Sequence, residues 1–119
     1  MPLDEIVREF IAETVEAIQE LDHGLVSLER EPGDSAVIDR LMRGMHTIKG
    51  NSGFFGFRRV QVLAHASESV LSALRDGARV ADRSVVDTLL AAADTIEALL
   101  EGIKARGVEP SLDVGPLLM

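Results

Sequence analysis

The 119-residue sequence has no cysteine, no tryptophan and no tyrosine, and holds only four prolines. Without cysteine there is no disulfide framework and no thiolate metal site. Phe10, Phe54, Phe55 and Phe57 are the whole aromatic complement, so a core must be built from Leu, Val, Ile, Ala and Met, a palette that suits helices. No apolar run approaches the roughly 20 residues needed to span a bilayer, which excludes a membrane-spanning helix. The start MPLDEIVREF lacks the basic-then-apolar layout of a secretory signal, and with the missing cysteines this predicts a cytoplasmic location. Positive charge is also scarce. Twelve Lys and Arg face twenty Asp and Glu, a net charge of −8, which argues against nucleic acid as a partner. The charges are unevenly placed, however: residues 1–39 hold eleven acids and two bases, whereas residues 40–67 hold five bases (Arg40, Arg43, Lys49, Arg58, Arg59) and no acid.

What is present is helical periodicity. Leu3, Val7, Phe10, Thr14, Ala17, Leu21, Leu25 and Leu28 share one face of a first helix, over about residues 3–30, which Glu31-Pro32-Gly33 ends. Asp34 or Ser35 can cap a second helix, about 35–56, whose Ile38, Leu41, Met45, Ile48, Ser52 and Phe55 recur at alternating spacings of three and four, a bundle-type seam. A third helix, about 58–76, carries Val60, Leu63, Ser67, Val70 and Leu74, widened by Ala64 and Leu71. Ser84 with Asp87 resembles a capping box opening a fourth, about 84–106, with Val86, Leu89, Ala93, Ile96, Leu100 and Ile103 inward and Gly107 at its close. Short connections between such helices predict an all-α, antiparallel up-and-down four-helix bundle. The domain is expected over residues 1–107, with 108–119 a tail or linker stub of no clear period.

The second helix contains Gly44, Gly50 and Gly53 within ten residues, although a mid-helix glycine costs about 1 kcal/mol relative to alanine. At 100° per residue Gly44 falls on the core side, while Gly50 and Gly53 lie within about 40° of His46. Bare backbone beside a histidine leaves room for a visiting protein. Lys49, one turn after His46, shares its face, Arg43 flanks it one turn before, and Phe54 lies toward the same side. Histidine changes charge between about pH 5 and 8, so an uncharged imidazole with a free lone pair is on hand near neutrality. A phosphoryl group on it would bring roughly two negative charges to the surface, which a nearby lysine would partly balance.

The stretch MHTIKGNSGFFGF, residues 45–57, resembles the signature of histidine phosphotransfer domains, His-x-x-Lys-Gly followed by small residues and a Gly-Phe turn. The likeness is greatest to the amino-terminal phosphotransfer domain of CheA-family chemotaxis histidine kinases and extends from about residue 4 to residue 106. It implies that His46 is the phosphoacceptor, Lys49 a helper and Gly50 a clearance residue. In HASES, residues 65–69, it implies that Glu68 bonds the nearer nitrogen of the acceptor imidazole, with His65 joining the polar cluster. The partners so implied are a histidine kinase catalytic domain, in cis or in trans, and response-regulator receivers, met by a surface of Arg43, His46, Lys49, Gly50, Gly53 and Phe54. The chain itself is then a monomeric phosphocarrier with no ATP site, no cofactor and no metal, and a fragment of a larger kinase.

Two other readings compete. His46, His65 and Glu68 offer three metal ligands, since His-x-x-Glu presents both side chains on one helix face; or the bundle is a structural interaction module without chemistry. Glycines 50, 53 and 56 do not make a phosphate-binding loop, because no strand precedes them and no Gly-Lys-Ser/Thr follows. Arg58 and Arg59 are expected to solvate the start of the third helix or to steer an acidic partner.

Overall fold

The computed structural model describes residues 2–112 and 114–118, with side chains from Glu5 onward, so Leu3 of the expected stripe lies outside the described side chains. Among the described residues there are four α-helices and no strand: α1 (Pro2–Arg30), α2 (Ser35–Phe55), α3 (Arg58–Arg75) and α4 (Arg83–Arg106), followed by a 3-10 turn, Gly115–Leu118. Each helix packs on the two next to it around a square, α1 on α2, α2 on α3, α3 on α4 and α4 on α1. That is the antiparallel bundle the short connections predict. No helix among the described residues is long and apolar enough to cross a membrane.

The helices begin and end for local reasons. The Asp34 carboxylate accepts from the Val37 amide at the start of α2, satisfying one of the N–H groups a helix start leaves free. Gly56 ends α2 in the left-handed region (φ 77°), and the Phe57 amide closes back onto the Ser52 carbonyl at 2.9 Å, a Schellman-type stop that turns the chain straight into α3. At α4 the structure corrects the expected cap. Asp82, not Ser84, is the cap and accepts from the Val85 amide at 2.9 Å; starting the helix at Arg83 lets Val85 and Val86 both enter the core.

The core follows the periodic stripes closely. In α1 the seam runs Phe10, Thr14, Ile18, Leu21, Leu25 and Leu28, all buried, with Ala17 at its edge and Ile18 replacing it at the centre. The polar members of the seams are satisfied within their own helices: the Thr14, Ser52 and Ser67 hydroxyls donate to the carbonyls of Phe10, Ile48 and Leu63. At one end Phe10, Phe55 and Phe57 form a ring cluster with centroids 5.3–5.8 Å apart. Phe54 stands edge-on to Phe55 yet is 80% exposed. Gly44 faces α1, where a β-carbon would meet that of Ala17 at an ordinary 3.8 Å; the close approach it permits is slight.

The described residues after Gly107 turn back onto the bundle. Arg59 does not merely solvate α3, for its Nε donates to the Leu112 carbonyl at 2.9 Å and its backbone N–H donates to Glu109.

Candidate functional site

His46 sits halfway along α2, on the flank that borders α3, and its side chain is 68% exposed. Burial of Met45 and Ile48 on either side fixes the rotation of the helix, so the imidazole is presented outward by the packing of its neighbours. From α3, where Ser67 and Leu71 are buried beside it, Glu68 reaches across the groove. One carboxylate oxygen, Oε2, lies 2.9 Å from His46 Nδ1, and the other, Oε1, accepts from Lys49 Nζ at 2.6 Å. Glu68 is only 17% exposed and Lys49 27%. A charge-assisted hydrogen bond of that kind is worth about 1.5–3 kcal/mol, against roughly 0–1 for an open surface pair such as Arg83 with Asp87.

The electrostatics set the state of the imidazole. Burial opposes ionisation of Glu68, but the hydrogen bonds from Lys49 and His46, helped by their charges, outweigh it and hold its pKa below the usual glutamate value. An ionised carboxylate only accepts, so in the neutral imidazole the Nδ1 that faces it carries the proton. The lone pair is therefore on Nε2, the nitrogen away from Glu68. The result is an exposed nucleophilic nitrogen on a ring held by a partly buried carboxylate.

Asp39, Met42, Arg43, Thr47 and Arg75 border the groove beside His46 and Glu68. Arg43 makes no ion pair among the described residues and keeps its guanidinium at the rim. Arg75 pairs with Asp39 at 3.8 Å and with Asp76 at 3.6 Å. Asp39 and Arg75 each lie seven residues from His46 and Glu68, so the groove carries two cross-helix pairs one heptad apart. That spacing was the available signal for them.

The other expected residues divide. A β-carbon at Gly50 would meet nothing within 4 Å, so the helix is bare there. Gly53 is partly covered, because the Gln61 amide of α3 lies over it within reach of an added β-carbon. Phe54 is on the surface. His65 is exposed and forms no hydrogen bond or ion pair with His46, Lys49 or Glu68. The metal reading thereby loses its third ligand, and Lys49 already occupies the second oxygen of Glu68. No group of three or more His, Cys, Asp or Glu among the described residues is placed to hold a metal ion.

A four-helix bundle that presents one carboxylate-held histidine on an open helix face defines the class of histidine phosphotransfer modules. The Hpt domain family model matches residues 5–105, and the chain belongs to that family. It is 35% identical over 105 residues to the chemotaxis protein CheA of Halobacterium salinarum, a match covering 88% of this chain and 16% of that protein. It is equally 35% identical to the sensor histidine kinase CheAY of Helicobacter pylori, over 88% of this chain and 13% of that one. The chain thus spans about one sixth or less of the length of these relatives. Among solved structures, the phosphorylated P1 domain of CheA3 in complex with CheY6 from R. sphaeroides superposes with a TM-score of 0.85 at 30% identity, covering 97% of this chain and 90% of that one. The CheA phosphotransferase domain from Thermotoga maritima gives 0.80 at 31% identity, over 84% and 95%.

Proposed function

We propose that His46 takes a phosphoryl group from the catalytic domain of a histidine kinase, in the same protein or a separate one, and passes it to an aspartate of a response-regulator receiver. The observation that carries this reading is the 2.9 Å hydrogen bond that Glu68 accepts from Nδ1 of an imidazole whose side chain is two-thirds exposed. In the first step the Nε2 lone pair attacks the γ-phosphorus of ATP held by the kinase, and the N–P bond forms as the bond to the ADP oxygen breaks. Positive charge develops on the ring and is met by Glu68. In the second step a receiver carboxylate oxygen attacks phosphorus, the N–P bond breaks and the neutral imidazole returns. Lys49 acts through Glu68, pinning its second oxygen so that the carboxylate stays aimed at the ring, and it offsets part of the arriving charge.

The partner face comprises Arg43, Gly50, Gly53 and Phe54 around His46. The bare helix at Gly50 gives clearance, and the unpaired Arg43 suits an acidic receiver site. The complex of the CheA3 P1 domain with CheY6 supports a receiver of that class as recipient. Magnesium belongs to the kinase and the receiver; this chain is read as a monomeric, cytoplasmic carrier with no cofactor of its own. His65, lacking any bond to the other three side chains, is left out of the relay. The deciding experiment is incubation with a chemotaxis-type kinase catalytic core and labelled ATP. Acid-labile, base-stable label is expected on the wild type and none on His46→Gln; equal labelling of the variant overturns the assignment.

A further inference from the structure

α2 and α4 each begin with an aspartate that caps its own helix. α3 does not. Phe57 stands at its cap position and has no side chain able to accept a hydrogen bond, so the free amides of the first turn need a partner from elsewhere. Glu109 supplies it: its two carboxylate oxygens accept from the Arg59 amide at 3.0 Å and the Val60 amide at 2.9 Å, from fifty residues along the chain. The side chain of Glu109 is only 7% exposed, and the Arg59 guanidinium lies 3.9 Å away. A buried carboxylate needs such company, and the start of a helix adds its own partial positive charge.

The rest of the segment is laid down from that point. Arg59 Nε holds the Leu112 carbonyl. Pro110 covers Gly102 of α4 so closely that a β-carbon there would overlap its ring. Val114 and Leu117 pack on the core, and Pro116 and Leu117 border an open groove together with Arg83, Asp87 and Ala91 near the start of α4. The 3-10 turn touches both α3 and α4. The segment therefore runs back along α4 from its end toward its beginning, bridging α4 to α3.

We propose that residues 109–112 and 114–118 form a releasable strap, locked by the Glu109 carboxylate as the borrowed cap of α3. In the strapped state α3 is tied to α4; in the unstrapped state the first turn of α3 and the seat of Val114 and Leu117 are uncovered together. Because Phe57 offers no local substitute, opening of the strap and fraying of that turn are a single event. Opening breaks the bonds to Glu109 and the Arg59 bond to Leu112 among its contacts but leaves the core between the four helices packed, so it happens below the cost of unfolding the bundle.

Amide hydrogen exchange on the intact chain tests this. In the wild type the Arg59 and Val60 amides are expected to be protected, but less so than that of Ile48 in the middle of α2. Glu109→Ala should speed exchange at both by about tenfold or more, the scale of losing hydrogen bonds to a charged acceptor, with Ile48 unchanged. Gly102→Ala keeps the lock residue yet should open the strap by displacing Pro110, with the same local pattern, although alanine favours a helix. Wild-type exchange at Arg59 and Val60 in both variants overturns the proposal. So does absence of protection at those amides in the wild type, or a loss of protection spread evenly over all four helices.

Discussion

Glu68, in the groove between α2 and α3, and Asp22, in the seam between α1 and α4, are both acids drawn partly out of water, yet their ionisation is pushed in opposite directions. Around Glu68, burial is outweighed by Lys49 and His46, and the pKa falls. Around Asp22, burial comes first, Asp94 adds repulsion, His23 relieves only some of it, and the pKa rises. Glu97 behaves likewise, raised by burial and then by Asp22 and Asp94. One Asp22 oxygen is buried with no hydrogen-bond partner. The neighbours, not the burial, decide whether a carboxylate becomes a positioning group or a strain on the fold. The basic middle of the sequence meets Glu68, while the acidic first helix meets the acids of α4.

The comparison can be broken at several strengths. The largest effect is expected for His46→Gln, with labelling lost entirely and the helical circular dichroism intact, since an exposed imidazole contributes little to packing. Next is Glu68→Ala, which should slow phosphorylation by about 10–100-fold, the kinetic scale of losing one charge-assisted hydrogen bond in the transition state. Wild-type kinetics in this variant would show that the carboxylate does not orient the ring. Third, stability should depend on pH in two opposed limbs. Glu68 has a lowered folded pKa, so its contribution is present above the ordinary glutamate value of about 4.3 and lost as pH falls through the lower folded one. Asp22 and Glu97 have raised folded values, so their favourable contribution is present below about 4 and is lost as pH rises through those values. Thermal melts should therefore improve modestly as pH drops from 7 toward the raised values of the two acids, then worsen in stronger acid. The smallest effect is Asp22→Asn, expected to stabilise by roughly 0.5–1 kcal/mol at pH 7 and to flatten the first limb; a destabilised variant would mean the repulsion is already screened.

Much of this site was legible because it is local. His46, Lys49 and Gly50 share a face by spacing alone, and the His-x-x-Glu resemblance brought Glu68 to the imidazole. The destination of Lys49 was not legible, since three-residue spacing places a stem but does not aim a long flexible chain. In α1 the drift of 3.6 residues per turn carries the seam from Ala17 to Ile18. Ser84 and Asp82 are both good caps, and the choice between them rests on seating Val85 and Val86 together. Glu109 was beyond reach from periodicity, because its partners are backbone amides fifty residues away and the segment around it has no repeat.

Phe54 has a practical consequence for optical work. A chain without tryptophan or tyrosine is nearly dark under ultraviolet light above the phenylalanine band, so a single indole placed on the proposed docking face reports without background. Phe54 is 80% exposed, with its ring edge-on to Phe55. Phe54→Trp should emit as a water-exposed indole in the free domain and shift to the blue when a tryptophan-free receiver docks. An unmoved spectrum under binding conditions would place the receiver's footprint away from that end of α2.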